Sequence, residues 1–402
     1  MEAAVSAAYV LQMFQMPCVA IAMMAQVFVG RWYGAGNFTK IGRGLWQFIW
    51  FSLLSHALVY PCGRLYGYYY FQGMSIEEVV WPYYHFLLGI NFLFPLAAAL
   101  SCFYLGQGKT RLVLWTTLGT QGIKILFSYG LIFGVGESVP VFGIMGGAIG
   151  TFVSQGLLCL ILLAVFLNRR HREIYASFRA SFEGKLFWEC LKPGLLRAGS
   201  RLLGFMSWTA TAYLVTSKGG DFLLVFSVGG TLFLFLPFIS EALCQAQITV
   251  FSQILGNRDF SGLDRAYRSG RILALATGTL FILPLILFPA TTFQFLFSKF
   301  TMDERQIALT FAGVGACFFF FNLAALYLSS MLAFKDMKFL FLAGAVLWVS
   351  GFIFMYVAIE KLFMPPEYFW LTVSSIHATT ALFYYWRTKW LLKSTSLLFG
   401  KI

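Results

Sequence analysis

Charge is scarce in this chain, and acidic charge most of all. Its 402 residues hold 16 Asp and Glu, 29 Lys and Arg and four His, so 11% are charged. A soluble domain carries about 25%. With 59% of residues hydrophobic, a soluble globular fold is excluded and the bilayer is the expected solvent. Metal and redox motifs are missing too. The seven cysteines, Cys18, Cys62, Cys102, Cys159, Cys190, Cys244 and Cys317, form no C-x-x-C pair. His56, His85 and His377 show no ligand spacing, so neither a metal nor another cofactor is expected. No paired His/Asp or nucleophile motif stands out, so an enzyme is not expected either. The first apolar run is preceded by Glu2 and no basic residue, which does not read as a secretory leader.

What the chain does have is long apolar runs. Eleven are readable, at 5–30, 41–63, 80–106, 112–134, 140–167, 193–216, 222–250, 271–292, 306–333, 339–360 and 367–388. Each reaches about 20 residues, enough to cross a bilayer as a helix. The runs are continuous rather than alternating, which argues against a β-barrel. The expected fold is an all-α polytopic membrane bundle of about eleven transmembrane helices. Tyr66, Tyr68, Tyr69, Tyr70, Trp81, Tyr83 and Tyr84 cluster at segment ends, where amphipathic rings settle at the headgroups.

The net charge of +13 has a topological reading. Of 29 basic residues, 21 fall in the loops after spans 1, 3, 5, 7 and 9 and in the C-terminal tail, among them Arg43, Lys109, Arg169, Arg258, Lys335 and Lys401. The other side holds Arg64, Lys218, Lys299, Arg305 and Lys361. The positive-inside rule then puts the C-terminus in the cytoplasm of a multi-pass protein of the plasma (bacterial inner) membrane. Nucleic acid is not needed to explain the excess. The expected partners are the bilayer and a small-molecule or lipid-linked substrate, and the expected state is a monomer.

Two loops repeat. Gly34 to Arg43 and Gly256 to Arg265 align at an offset of 222, with Gly, Phe and Arg coinciding and Thr39 facing Ser261. The end of span 3, with Lys109 and Arg111, echoes the end of span 9, with Lys335 and Lys338, at an offset of about 227. This is the signature of a duplicated transporter plan. The expected organisation is a five-span N-terminal half at 1–168, a cytoplasmic linker at 169–192 and a six-span C-terminal half at 193–402. On a six-plus-six plan the first helix of the N-terminal half is absent.

Gln26-Val27-Phe28-Val29-Gly30-Arg31-Trp32-Tyr33-Gly34-Ala35-Gly36-Asn37 resembles the loop after the second helix of the multidrug and toxin extrusion (MATE) family. Pro237 to Gly256 resembles its counterpart after the eighth helix. The Val141 to Thr151 stretch is similar to the opening of the sixth, and Leu105 to Thr110 to the end of the fourth. The resemblance covers nearly the whole chain. It implies two six-helix bundles around a central cleft and alternating access. It also implies expulsion of organic cations in exchange for sodium ions or protons. The acidic residue family members often carry in helix one has no counterpart. The stretch nearest the family's helix-seven Glu reads Arg197-Ala198-Gly199-Ser200-Arg201.

Ionisable residues at membrane depth are functional candidates because each costs several kcal/mol to bury. Glu241 lies roughly 14 Å deep at 1.5 Å per residue, and Arg201 at similar depth makes a candidate ion pair with it. Arg197 shares the Arg201 face, either snorkelling or facing the cleft, where an anionic substrate would be favoured. Lys124 sits in mid-span with no acidic partner on its helix. Gln26, Asn91, Gln155, Gln245, Gln247, Asn322 and His85 are candidates for lining the cleft or for bridging helices. Pro17, Pro95, Pro237, Pro284, Gly229 and Gly230 are candidate hinges or static kinks. The resulting expectation is a secondary exporter of organic cations. The alternatives are a flippase for an anionic lipid-linked precursor and an inactive relative.

Overall fold

A computed structural model describes residues 2–134, 140–297 and 301–399. Lys299 and Lys401 lie outside them. Sixteen α-helices follow one another among these residues, with one short 3-10 turn at Pro366–Tyr368. They are α1 (Glu2–Ala22), α2 (Met24–Gly34), α3 (Phe38–Phe71), α4 (Glu77–Gly89), α5 (Leu93–Gly106), α6 (Thr110–Phe133), α7 (Ile144–Phe166) and α8 (Arg169–Tyr175). Then come α9 (Gly184–Lys218), α10 (Gly220–Phe235), α11 (Pro237–Asn257), α12 (Ser261–Leu287), α13 (Pro289–Phe297), α14 (Glu304–Phe334), α15 (Met337–Glu360) and α16 (Phe369–Phe399).

Six helical stretches are both long and apolar enough to cross a membrane, and the α4–α5 pair, bent by 41°, makes a seventh. The other four expected spans are α3, α6, α9 and α16, of 34, 24, 35 and 31 residues. Each is long enough at 1.5 Å per residue but carries more polar side chains. The solvent these helices need is visible on their faces. On α6 the single buried side chain is Thr120, while Trp115, Ile125 and Leu126 are 69% exposed or more. Apolar faces of that size belong against lipid. The chain is an all-α polytopic membrane protein.

The chain divides into two compact units, Met1–Leu202 and Leu203–Ile402, and the dividing line falls inside α9. In the N-terminal unit α5 packs against α1, α2, α3, α6 and α7. Tyr104 on α5 donates to the Leu162 carbonyl at 2.9 Å, and Tyr84 on α4 donates to Gly63 O at 2.7 Å. A Cβ at Gly67 would stand 2.4 Å from the Tyr84 ring, so α4 approaches α3 only because that position has no side chain. In the C-terminal unit α14 is central, against α10, α11, α12, α13 and α16. Its core gathers Trp370, Phe369, Phe311, Val225 and Val314, with Trp370 Nε1 donating to the Val225 carbonyl at 3.0 Å.

The loop repeat is present in three dimensions. Gly36 and Arg258, 222 residues apart, both adopt left-handed φ, at +69° and +59°. In each loop a hydroxyl donates to the preceding Asn or Asp, Thr39 to Asn37 at 3.5 Å and Ser261 to Asp259 at 2.6 Å. The second echo repeats as closely. Gly108 and Lys335, 227 apart, are left-handed at +78° and +60°. The next amides, Lys109 and Asp336, each reach back to a carbonyl five residues earlier, Tyr104 and Met331, both at 2.9 Å. That is the bond that satisfies orphan carbonyls at a helix C-terminus.

Residues 169–192 hold more structure than the word linker suggests. After α8, residues 176–183 lie along α3. Trp46 Nε1 donates to Ser177 O at 2.8 Å, Gln47 Nε2 donates to Ser181 O at 2.9 Å, and Arg43 pairs with Glu183. A Cβ at Gly42 would collide with the Tyr175 carbonyl, so glycine opens the path. Tyr175 donates to Gln107 Oε1 at 3.1 Å, and His171 Nε2 stands 3.0 Å from Lys109 Nζ.

Candidate functional site

The candidate residues divide between the two units. In the N-terminal unit Gln26 is 1% exposed and accepts from Cys102 Sγ at 3.8 Å, tying α2 to α5. Arg197 is buried at 4% exposure, its guanidinium 3.8 Å from Met24 Sδ and 4.0 Å from Met23 Sδ. It therefore packs beside the α1–α2 junction rather than snorkelling. Arg201, one turn on, is exposed. Lys124 is half-buried on α6 and makes no ion pair among the described residues. Asn91 is 2% exposed at the α4–α5 break, its Oδ1 without a hydrogen-bond partner among the described residues.

In the C-terminal unit, Glu241 and Gln245 meet one turn apart on α11, Gln245 Nε2 donating to Glu241 Oε1 at 2.7 Å. Gln247 donates to the Ala266 carbonyl at 3.2 Å, and Asn322 to the Ala274 carbonyl at 2.6 Å. Both bonds end on α12, so these two side chains bridge helices. Gln155 is half-buried on α7 of the N-terminal unit.

The prolines sort by consequence. Pro95 lies one turn after the α4–α5 break. It has no N–H for the Asn91 carbonyl, which takes the Phe94 amide at 3.2 Å instead. Pro237 stands at the first position of α11, where the missing donor costs least. Pro17 and Pro284 lie within α1 and α12 without ending them. Gly229 is a packing position, because a Cβ there would meet Trp370 Nε1 at 2.0 Å. Gly230 is looser, with the Trp370 ring 3.9 Å away.

The sequence offers His56 and His85 singly, as residues able to relay a proton, and the structure groups them with a tyrosine. Tyr60 on α3 hydrogen-bonds His85 Nε2 on α4 at 2.9 Å, and the His56 ring stands 5.5 Å from the Tyr60 ring. His56 and Tyr60 are four residues apart, the spacing that puts side chains on one helix face. That spacing was readable. The partner across the gap was not.

The MatE family model matches residues 2–130. A probable multidrug resistance protein NorM from Pasteurella multocida (strain Pm70) is 24% identical over 271 residues, covering 62% of this chain and 56% of that one. A solved multidrug resistance MATE family transporter of the MOP superfamily, in an outward-facing conformation, superposes with a TM-score of 0.85. It is 14% identical and covers 98% of this chain and 89% of its own. The MatE match covers about the first third of the chain, and the likeness to the solved transporter is one of fold. An uncharacterized transporter, YisQ, from Bacillus subtilis (strain 168) is 24% identical over 181 residues, 44% of this chain and 38% of that one. The matched stretches thus span about half or less of these two curated relatives. The two loops that carry the internal repeat are those that resemble the MATE family's loops after helices two and eight.

Proposed function

We propose that the chain is a secondary active transporter that exports organic cations by alternating access, driven by a sodium or proton gradient. It sits in the plasma membrane with its C-terminus in the cytoplasm, as the distribution of basic residues favours. The observation that carries this reading is Glu241, the one carboxylate deep in an apolar span. A buried carboxylate costs several kcal/mol unless it meets a cation, a proton or a donor, and Gln245 supplies one donor. The similarity to a probable multidrug resistance protein supports the same substrate class.

A flippase for an anionic lipid-linked precursor is the second reading. The exposed Arg201 and the half-buried Lys124 favour it, since cations at membrane depth attract anions. Transport of a fluorescent organic cation into or out of proteoliposomes, under imposed sodium, proton and null gradients, separates the two. Gradient-dependent movement that falls in Glu241→Gln supports the exporter. Failure of every cation substrate under all three conditions overturns it.

A further inference from the structure

We propose that His56, Tyr60 and His85 form a proton-binding site inside the N-terminal unit, through which a proton drives transport. The inference rests on the exporter reading and names its coupling ion.

The geometry comes first. His56 lies about 20 Å along α3 from Arg43, and His85 about 12 Å along α4 from Glu77, at 1.5 Å per residue. Both are half-buried, well inside the spans. Tyr60 lies between them, bonded to His85 Nε2 at 2.9 Å and with its ring 5.5 Å from that of His56. His56 Nδ1 is buried and has no hydrogen-bond partner among the described residues. An open polar atom of this kind, next to a bonded His–Tyr pair, is an acceptor in reserve.

The chemistry follows from the donor inventory. A neutral His85 can accept from the Tyr60 hydroxyl, which leaves the phenol oxygen free to accept from elsewhere. When His85 takes up a proton at Nε2, both its ring nitrogens become donors. The Tyr60 oxygen must then accept, and its O–H turns away from His85 towards another acceptor. One incoming proton therefore reverses the bond between α3 and α4, with no bond broken other than hydrogen bonds. The charge is partly shared with the phenol oxygen, which lowers the cost of holding it in a low dielectric.

The surroundings leave these histidines without rivals. The titratable side chains on the packed elements are Tyr9 and Cys18 on α1 (with Glu2 at its first residue), Arg31 and Tyr33 on α2, Cys102 and Tyr104 on α5, and Cys159 on α7. The remaining groups on α3 and α4 are Lys40, Arg43, Cys62, Arg64, Tyr66, Tyr68, Tyr69, Tyr70, Glu77, Glu78, Tyr83 and Tyr84. On α8, which meets the start of α3, they are Arg169, Arg170, His171, Arg172, Glu173 and Tyr175. Among the described residues of these elements, no carboxylate lies within the span alongside the pair. Histidine is the side chain whose ordinary titration falls between pH 5 and 8. Of four in the chain, His171 sits on α8 and His377 in the other unit.

The site also touches a mechanical weak point. The His56 ring packs edge-on against Phe92 at 5.4 Å, and Phe92 lies in the break where α4 and α5 meet at 41°. Protonation at His56 places a cation against that ring, and so against the bend. Pro61 adds to the local softness, since it offers no amide to the Ala57 carbonyl beside His56.

Two measurements on the full chain in lipid test this. The first is a histidine side-chain NMR titration from pH 5 to 8 on 15N-labelled protein, with His56→Asn and His85→Gln for assignment. At least one of the two should titrate in that window, and Tyr60→Phe should move its midpoint by about half a unit or more. The second is ethidium transport in proteoliposomes under a pH gradient. His85→Gln should lower the gradient-driven rate about tenfold, while ethidium binding changes by less than about twofold. Tyr60→Phe should shift the pH profile rather than abolish transport, which a purely structural role would not do. A His56→Asn/His85→Gln double variant that keeps wild-type pH-driven transport overturns the site, as does absence of any titration at both histidines. If wild-type protein moves no organic cation under any gradient, the exporter reading falls, and the NMR titration still decides the proton site.

Discussion

Arg43 and Glu183 stand 140 residues apart in sequence and form a two-bond ion pair, with Arg43 Nε donating to Glu183 Oε1 at 2.6 Å. The pair closes the segment that runs from α8 along α3. Its fork geometry makes it stronger than a single surface contact, although both side chains remain partly exposed. A double-mutant cycle on Arg43→Ala and Glu183→Ala should give a coupling of about 0.5 to 1 kcal/mol. Trypsin should cut faster at Arg172 and Arg179 in either variant, and unchanged cleavage would mean that the pair does not hold the segment down.

The same pair sets an acid limit. The Arg43 hydrogen bond holds the Glu183 carboxyl below its ordinary 4.5. A carboxylate with a lowered folded value contributes fully above pH 4.5 and loses its contribution as pH falls through the folded value. Glu183→Gln should remove that part of the acid dependence, read as thermal midpoint against pH.

His171 carries a second pH dependence of its own. Burial first, and the neighbouring Lys109 charge second, push it below its ordinary 6.5, against an opposing pull from the Val165 carbonyl. A base lowered on folding costs stability once the unfolded chain begins to take protons. The loss therefore starts as pH falls through 6.5 and levels off below the folded value. Melting of the detergent-solubilised protein between pH 7.5 and 5 should show this slope, and His171→Gln should flatten it.

Gly229 and Gly230 are adjacent but predict opposite results. Gly229→Ala drives a methyl into the Trp370 ring and breaks the bond to the Val225 carbonyl, at a cost of about 1 to 3 kcal/mol. Gly230→Ala meets open space and should change stability by less than about 0.5 kcal/mol. Equal effects at the two positions would refute the packing role of Gly229.

Arg258 occupies a left-handed position that its repeat partner fills with Gly36. Arg258→Gly should relieve the strain of a side chain there, stabilising the folded protein by about 0.5 to 1 kcal/mol. A lower melting temperature in the variant would instead mean that the arginine side chain is needed.

The apolar runs were legible because they are long compared with their boundary errors, and charge alternates between the loops; six helical stretches and one bent pair are apolar enough to cross a membrane. The repeat was legible because Gly34, Phe38 and Thr39 find Gly256, Phe260 and Ser261 at one offset. The break in the third span was not, since Ile90, Asn91 and Phe92 interrupt the helix without interrupting the apolar run. Arg197 was read as a side chain able to reach the headgroups, because sequence does not show Met23 and Met24 beside it. Residues 169–192 read as a linker because their basic content follows the charge rule. The bonds from Trp46 and Gln47 that fix them come from more than 130 residues away.

Of the seven cysteines, six are buried and Cys62 alone is exposed. Cys62 lies two residues from Tyr60 on α3. The native chain thus offers a single accessible attachment point for a thiol-reactive fluorophore, with no cysteine-free background to engineer. A dye at that position would report on the neighbourhood of His56 and His85 in real time as pH or substrate is changed.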